Sequence, residues 1–71
     1  MQYSVVIHLA EEGGYWVEVP ALPGCYSQGE NREDALSNVR KAIALYVSAL
    51  QDDGAPIPKD EEFVVRVTVA A

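Results

Sequence analysis

Two side chains of chemically reactive types occur once each in this 71-residue sequence, His8 and Cys25. A catalytic histidine needs a nucleophile or an orienting carboxylate beside it, and a reactive cysteine needs a setting that favours its thiolate. The sequence supplies neither signal. We therefore interpret His8 as an ordinary surface or edge-strand residue, and Cys25 as a small, semi-buried apolar residue rather than a nucleophile.

The carboxylates occur mostly in pairs within predicted loops or at predicted helix ends, where charge is normally solvated. Only the pair at residues 52–53 opposes the helix dipole, which makes it slightly more interesting as charge facing a partner, although we favour simple solvation for this pair as well. We find no two-metal carboxylate cluster, zinc spacing, glycine-rich phosphate loop or hydrolase elbow. The sequence therefore favours a protein that is not an enzyme, and we expect no cofactor and no metal. The carboxylate groups are Glu11-Glu12, Glu33-Asp34, Asp52-Asp53 and Asp60-Glu61-Glu62.

Charge and size limit the classes of partner. Eleven acidic residues against five basic ones give a net charge of −6, which argues against nucleic-acid binding because that normally needs a clustered basic face. The charge suits a basic protein partner, and the alternative is that it only keeps a small protein soluble. A chain of this length buries only about 60% of its unfolded surface, so packing against another chain would add stability.

Cysteine use and hydropathy indicate the compartment. A single cysteine excludes an internal disulfide, and residues 1–4 lack the basic region of a signal peptide. The sequence contains no apolar run near the roughly 20 residues that cross a bilayer. We expect a cytoplasmic protein without a membrane partner.

A meander of three short strands is predicted in the N-terminal half. Apolar side chains recur at every second position of residues 3–10, as in a strand with one buried face, and residues 15–19 are aromatic and β-branched. Pro20 and Pro23 cannot donate ladder hydrogen bonds, so pairing should stop there before a third strand over residues 25–28. The expected buried positions of the first strand are Tyr3, Val5, Ile7 and Leu9.

A long amphipathic helix and a last strand are predicted to follow. Asn31 is a suitable N-cap, and Gly54 followed by Pro56 is typical of a helix end. Residues 63–69 alternate again, so the order is β-β-β-α-β in one α+β domain over residues 1–71, an antiparallel sheet covered by one helix. The apolar stripe of the helix is Ala35, Leu36, Val39, Ala42, Ile43, Tyr46, Val47 and Leu50, and the last strand carries Phe63, Val65, Val67 and Val69.

Several apolar side chains are predicted to face away from the helix. Val6, Trp16 and Val64 belong to this set. Scattered apolar surface residues are normal, but a patch on so small a domain favours an oligomer or partner surface. Pairing of strand edges between copies is the simplest way to cover the edges of such a sheet.

Spaced motifs across nearly the whole chain resemble the HicB antitoxin family. They are Gly13-Gly14-Tyr15, Pro20-Ala21-Leu22-Pro23-Gly24-Cys25, Gly29, Glu33-Asp34-Ala35-Leu36, Ala42-Ile43 and Gly54-Ala55-Pro56-Ile57-Pro58. The resemblance implies a partial RNase H-like fold that neutralises a HicA-type toxin, a small basic ribonuclease that cleaves mRNA, by covering its RNA-binding surface and active site. It also implies a homo-oligomer, a dimer or tetramer.

Two family features have no counterpart in this sequence. Up to Ala71 there is no C-terminal DNA-binding module of the kind many HicB proteins carry, so we do not extend operator binding to this chain. The RNase H likeness concerns the fold alone, because no acidic metal-binding set stands at matching positions.

These observations favour an antitoxin-like binding protein, since complementary charge speeds encounter with a basic toxin and fixes its orientation. The residues we predict to contact the partner lie around the proline corner and the sheet face. A stand-alone structural or regulatory homo-oligomer is the first alternative, and a degenerate RNase H-like nuclease is the second. The predicted contact residues are Trp16, Glu18, Leu22, Pro23 and Glu30.

Overall fold

The computed structural model describes residues 1–61 and 65–70. Within them the strands are β1 (Val6–Leu9), β2 (Tyr15–Glu18) and β3 (Tyr26–Gly29), followed by the helix α1 (Arg32–Asp52). The strands pair antiparallel in the order β1-β2-β3, which confirms the predicted meander. Strand β2 is therefore central, and β1 and β3 are the edges among the described residues.

The register of β1 and β2 follows from a tight glycine turn. Gly13 and Gly14 have positive φ angles of 97° and 76°, which glycine reaches without a Cβ clash. The Ala10 N–H donates to the Gly14 carbonyl at 3.0 Å and so closes the hairpin. This turn places His8 directly opposite Trp16.

The core lies between α1 and the face of the sheet that we call the inner face. Helix α1 packs on β3 and β2, and the predicted apolar stripe supplies its buried side. Removing these side chains from water is the main stabilising contribution in a domain of this size. The buried core residues are Val17, Val19, Leu22, Cys25, Ala35 and Val39, with Tyr3, Val5, Ile7, Tyr15, Leu36, Ala42, Ile43 and Tyr46 packed around them.

Both ends of α1 confirm the predicted capping. The Asn31 side-chain oxygen accepts from the Asp34 N–H at 2.8 Å, which satisfies one of the free donors of the first turn. At the other end Gly54 has a φ of 66°. The Ala55 N–H donates to the Leu50 carbonyl at 2.9 Å, which completes a Schellman-type end.

One predicted core position is wrong. Leu9 was expected on the buried face of the first strand, but it is 75% exposed. The physical reason is the position of the helix across the sheet. Helix α1 packs over β2 and β3, whereas β1 lies at the sheet edge. The alternation correctly indicated the strand, but it does not say how far the helix covers it.

The predicted last strand differs from the structure over its described part. Residues 65–70 are assigned to no strand, and Val65, Val67 and Val69 are about three-quarters exposed. Alternating valines favour extended backbone, but a strand also needs a neighbour to pair with, and this segment has none in the described part of the chain. Phe63 and Val64 lie outside the described residues.

The chain that follows α1 returns to the N-terminal segment. The Tyr3 hydroxyl donates to the Pro58 carbonyl. The Ser4 backbone N–H and hydroxyl both donate to Asp60 Oδ2, at 3.0 and 2.8 Å. These contacts join residues more than fifty positions apart and hold the connector beside the start of the sheet.

Candidate protein-interaction site

The outer face of the sheet, opposite α1, carries an aromatic and acidic group of side chains. Alternate residues of paired strands share a face, and the register places His8 opposite Trp16 and Glu18 opposite Tyr26. We call these four residues the outer-face cluster. The prediction that Trp16 faces away from the helix is confirmed.

The cluster has defined internal geometry. The His8 ring stacks on Trp16 with centroids 4.0 Å apart and planes 14° apart, and the Tyr26 ring lies tilted at 6.1 Å from Trp16. His8 Nε2 lies 3.2 Å from Glu18 Oε1. The side chains of His8 and Glu18 are each 36% exposed, and Tyr26 is 59% exposed. The cluster is thus ordered by its own contacts and open to solvent.

The proline corner is held by backbone hydrogen bonds around a buried leucine. The Val19 N–H donates to the Cys25 carbonyl at 3.1 Å, and the Cys25 N–H donates to the Leu22 carbonyl at 3.0 Å. The Tyr46 hydroxyl donates to the Pro23 carbonyl at 2.8 Å and so ties α1 to the corner. This rigid corner presents the Pro23 ring to solvent.

The thiol at the corner is a core group. Cys25 is buried, and burial raises the pKa of its thiol by disfavouring the thiolate. A thiol in this state is a poor nucleophile. The interpretation of Cys25 as an apolar filler is confirmed.

Two surface depressions connect the predicted contact residues. Glu30 and Trp16 line one open cleft beside the start of α1. Glu18 and Pro23 line a smaller depression at the corner. Trp16 and Glu18 share one face of β2, and each lines a depression with one of the other two residues; we call these four residues the contact strip.

The fifth predicted contact residue, Leu22, lies elsewhere. Its side chain is completely buried in the core, so in this conformation it has no surface to offer a partner. A leucine between two prolines looks exposed in the sequence, but the corner folds inward and fills the space beside Val17 and Val39. Leu22 therefore supports the corner from the core side and is not part of the protein surface.

Sequence reasoning missed two members of the outer-face cluster, His8 and Tyr26. From the sequence we interpret His8 as an ordinary surface or edge-strand residue, and His8 does lie on the edge strand β1, but its contacts with Trp16 and Glu18 are not foreseen. A usable signal existed, because a tight Gly13-Gly14 turn with two-residue periodicity puts His8 on the same face as Trp16. The ring stacking itself depends on side-chain conformations that no periodicity specifies.

Within residues 1–61 and 65–70 the structure has neither a metal-binding cluster nor a membrane-spanning helix. No group of three or more His, Cys, Asp or Glu side chains is arranged there to hold a metal ion. None of the helices in that part of the chain is long and apolar enough to span a membrane.

Comparison with known proteins identifies the family. Residues 3–68 match the family model described as the HicB-like antitoxin of bacterial toxin–antitoxin systems. The chain belongs to the HicB-like antitoxin family. A UPF0150 protein of Thermoplasma acidophilum is 45% identical over 68 residues, which cover 93% of this chain and 99% of that one. Antitoxin HicB 1 of Photorhabdus laumondii is 36% identical over 58 residues, covering 82% of this chain but 37% of that protein.

Solved structures show the same fold. A chain of the HicA3 and HicB3 toxin–antitoxin complex superposes with a TM-score of 0.70 at 28% identity, covering 84% of this chain and 70% of that one. The N-terminal domain of Burkholderia pseudomallei antitoxin HicB gives 0.70 at 34% identity, with 94% and 74% covered. This HicB-like chain therefore shares the three-stranded sheet and covering helix of HicB antitoxins.

Proposed function

We propose that this HicB-like protein binds a small basic HicA-type toxin and neutralises it by covering its active and RNA-binding surface. The observation that carries the proposal is the likeness to a chain of the HicA3 and HicB3 toxin–antitoxin complex, over 84% of this chain. Family membership supports it over residues 3–68. On this proposal the chain acts by binding and not by catalysis, in the cytoplasm.

The charges of the protein suit such a partner. The net charge of −6 gives long-range attraction to a basic protein, which raises association rates and fixes orientation. We propose the contact strip as the surface that meets the toxin, because it combines two carboxylates with an aromatic ring and an exposed proline. Aromatic anchors beside charged groups are typical of the residues that dominate binding energy.

Co-expression with the HicA-type protein encoded beside it, or captured from the native host, tests the proposal. We expect a complex near equal stoichiometry and loss of the toxin's RNA cleavage when this chain is added. Charge reversal of Glu18 and Glu30 should weaken the complex, whereas Asp52→Lys, at the last residue of α1 and outside the contact strip, should have a smaller effect. A toxin that cleaves RNA unhindered at saturating concentrations of this chain would contradict the proposal.

Self-association is a second proposal, carried by a different observation. Val65, Val67 and Val69 are exposed, and within the described residues β1 and β3 have one unpaired edge each. An exposed alternating segment and an open edge are complementary, since each supplies the backbone pairing that the other lacks. We propose a homo-oligomer in which this segment joins the sheet of another copy.

Sedimentation equilibrium tests self-association. We expect a dimer or tetramer for the chain alone, and a shift toward monomer for Val67→Lys. The control is Leu45→Lys, a similarly exposed apolar residue on α1. If the chain purifies only with copies of itself and no toxin, the stand-alone oligomer becomes the better account of its function. A monomer at all concentrations would overturn this second proposal.

A further inference from the structure

The outer-face cluster contains a carboxylate, Glu18, that pairs with no lysine or arginine of residues 1–61 and 65–70. Among the described residues, the only contact between a carboxylate and a basic nitrogen is the one from His8 to Glu18. It engages Oε1 of Glu18. Oε2 accepts from no described side chain, and it lies on a face that also carries the rings of Trp16 and Tyr26.

Three of the chain's five lysine and arginine residues lie on or beside α1, away from this face. Arg32 lies over the ring of Tyr15, 6.0 Å from its centroid, and Tyr15 alternates with Trp16 and so belongs to the inner side of β2. Arg40 and Lys41 are exposed on α1, the layer opposite the outer face. The cluster is therefore an acidic and aromatic surface with which no described lysine or arginine forms an ion pair.

We propose that the outer-face cluster is a receptor for one arginine side chain of a basic protein partner. The inference rests on the proposed function, in which that partner is the toxin. The guanidinium would lie against the aromatic rings and donate to the Glu18 carboxylate. Such a pairing adds a cation–π interaction to a charge-assisted hydrogen bond.

The geometry favours arginine over lysine. A guanidinium is planar, stacks on aromatic faces and donates several parallel hydrogen bonds, whereas an ammonium is a compact, strongly hydrated charge. The Trp16 ring and the Glu18 carboxylate share the outer side of β2. Because His8 stacks on one face of the Trp16 ring, the guanidinium would lie against the opposite face. Tryptophan is also the aromatic side chain that attracts cations most strongly.

His8 acts in this receptor as a positioning residue. Its ring stacks on Trp16 at 4.0 Å and its Nε2 lies 3.2 Å from Glu18 Oε1, so one side chain orients both groups. Because the groups are held before binding, little side-chain entropy remains to be lost when a partner docks. The central strand supplies a rigid base beneath them.

A small-molecule probe tests the receptor directly. The chain is titrated with N-acetyl-arginine methylamide and followed by the NMR signal of the Trp16 indole N–H, which is unique because the chain has one tryptophan. The neutral isostere N-acetyl-citrulline methylamide and the lysine analogue are the controls. We expect saturable shifts at Trp16, with an arginine affinity about tenfold above that of citrulline. Equal shifts with citrulline, or shifts centred elsewhere, would overturn the proposal.

Matched variants separate the receptor from general electrostatic attraction. Glu18→Gln should abolish the arginine preference, while Asp52→Asn removes the same charge from the opposite layer and should leave the preference intact. His8→Ala should lower the arginine affinity, and His8→Phe, which keeps a stacking ring, should recover part of it. Equal losses in Glu18→Gln and Asp52→Asn would mean that net charge alone is being measured, and the proposal would fail.

The same substitutions in the toxin complex connect the receptor to the proposed function. Each arginine of the HicA-type toxin is changed to glutamine and combined with Glu18→Gln in a double-mutant cycle. We expect one arginine whose effect largely disappears in the Glu18→Gln background. Additive effects for every arginine would overturn the receptor while leaving toxin binding in place. If no complex forms, the proposed function fails, and the arginine titration still decides the receptor.

Discussion

The inner and outer faces of β2 differ in both chemistry and burial. Val17 on the inner face is 0% exposed and Val19, directly after the strand, is 2% exposed, and both belong to the core beneath α1. Trp16 and Glu18, which alternate with them, lie half-buried on the outer face in contact with other side chains of the sheet. A strand of four residues thus gives the domain much of its core and also its most distinctive surface.

The difference indicates where substitutions should change stability and where they should change recognition. Inner-face side chains are surrounded by protein, so a change of volume leaves a cavity or a clash. Outer-face side chains meet solvent on at least one side, so changing them costs little folding energy. They are free to serve a partner, and the predictions below test this separation.

The largest loss of stability is expected for Gly29→Ala at the end of β3. A Cβ at this position would lie 2.3 Å from the Ala35 nitrogen and 2.7 Å from the Asp34 carbonyl carbon. Both are backbone atoms at the start of α1, so the helix itself must shift. We expect a loss of about 3 kcal/mol or more in the free energy of unfolding, measured by urea denaturation with far-UV circular dichroism.

The matched control for that substitution is Gly13→Ala. A Cβ at Gly13 meets nothing within 4 Å, and only its φ of +97° disfavours alanine. We expect a loss of about 1 kcal/mol. Equal losses of stability in the two variants would mean that the close contact between β3 and the start of α1 does not restrict the size of the residue at position 29.

Leu22→Ala and Trp16→Leu should have opposite effects. Leu22 is completely buried, so its truncation should cost about 2–5 kcal/mol of stability, with toxin affinity unchanged for the folded fraction. Trp16→Leu should change stability much less but weaken toxin binding at least tenfold. Denaturation and isothermal titration of both variants check this. A Leu22→Ala protein that is stable but cannot bind would contradict the burial argument.

A smaller loss is expected at the helix start. Asn31→Ala removes the acceptor for the Asp34 N–H and should cost about 1 kcal/mol. The control is Asn38→Ala on the same helix, which loses an exposed hydrogen bond to the Gln28 carbonyl and should cost about 0.5 kcal/mol. If Asn38→Ala costs more stability than Asn31→Ala, the N-cap hydrogen bond is not the more important of the two contacts for the stability of α1.

The smallest effect concerns the buried thiol and pH. Burial raises the pKa of Cys25, so the folded state favours the neutral thiol, and the unfolded chain ionises first as pH rises. The stability contributed by the neutral thiol should therefore be lost above the ordinary thiol pKa. Thiol labelling should be slow in the native protein and fast in urea. Cys25→Ala should remove the alkaline loss, and an unchanged slope would assign it to other groups.

Local signals in the sequence predicted most of the architecture. The Asn31 cap, the Gly54 end and the apolar stripe of α1 depend on interactions within a few residues, so they can be seen in the sequence. The assignment of Trp16 to the outer face followed from two-residue periodicity. Leu9 and Leu22 were misplaced because their burial depends on where α1 crosses the sheet and on how the corner folds inward.

The chain by itself determined the strand meander, the helix and its caps, the acidic balance and the resemblance to HicB antitoxins, because these are properties of composition and of near neighbours. Only the tertiary structure decided that Trp16 and Glu30 line one cleft and Glu18 and Pro23 another, and that His8 contacts both Trp16 and Glu18. The physical reason is that these contacts join different strands and turns. Their distances are set by register and packing, which no segment specifies alone.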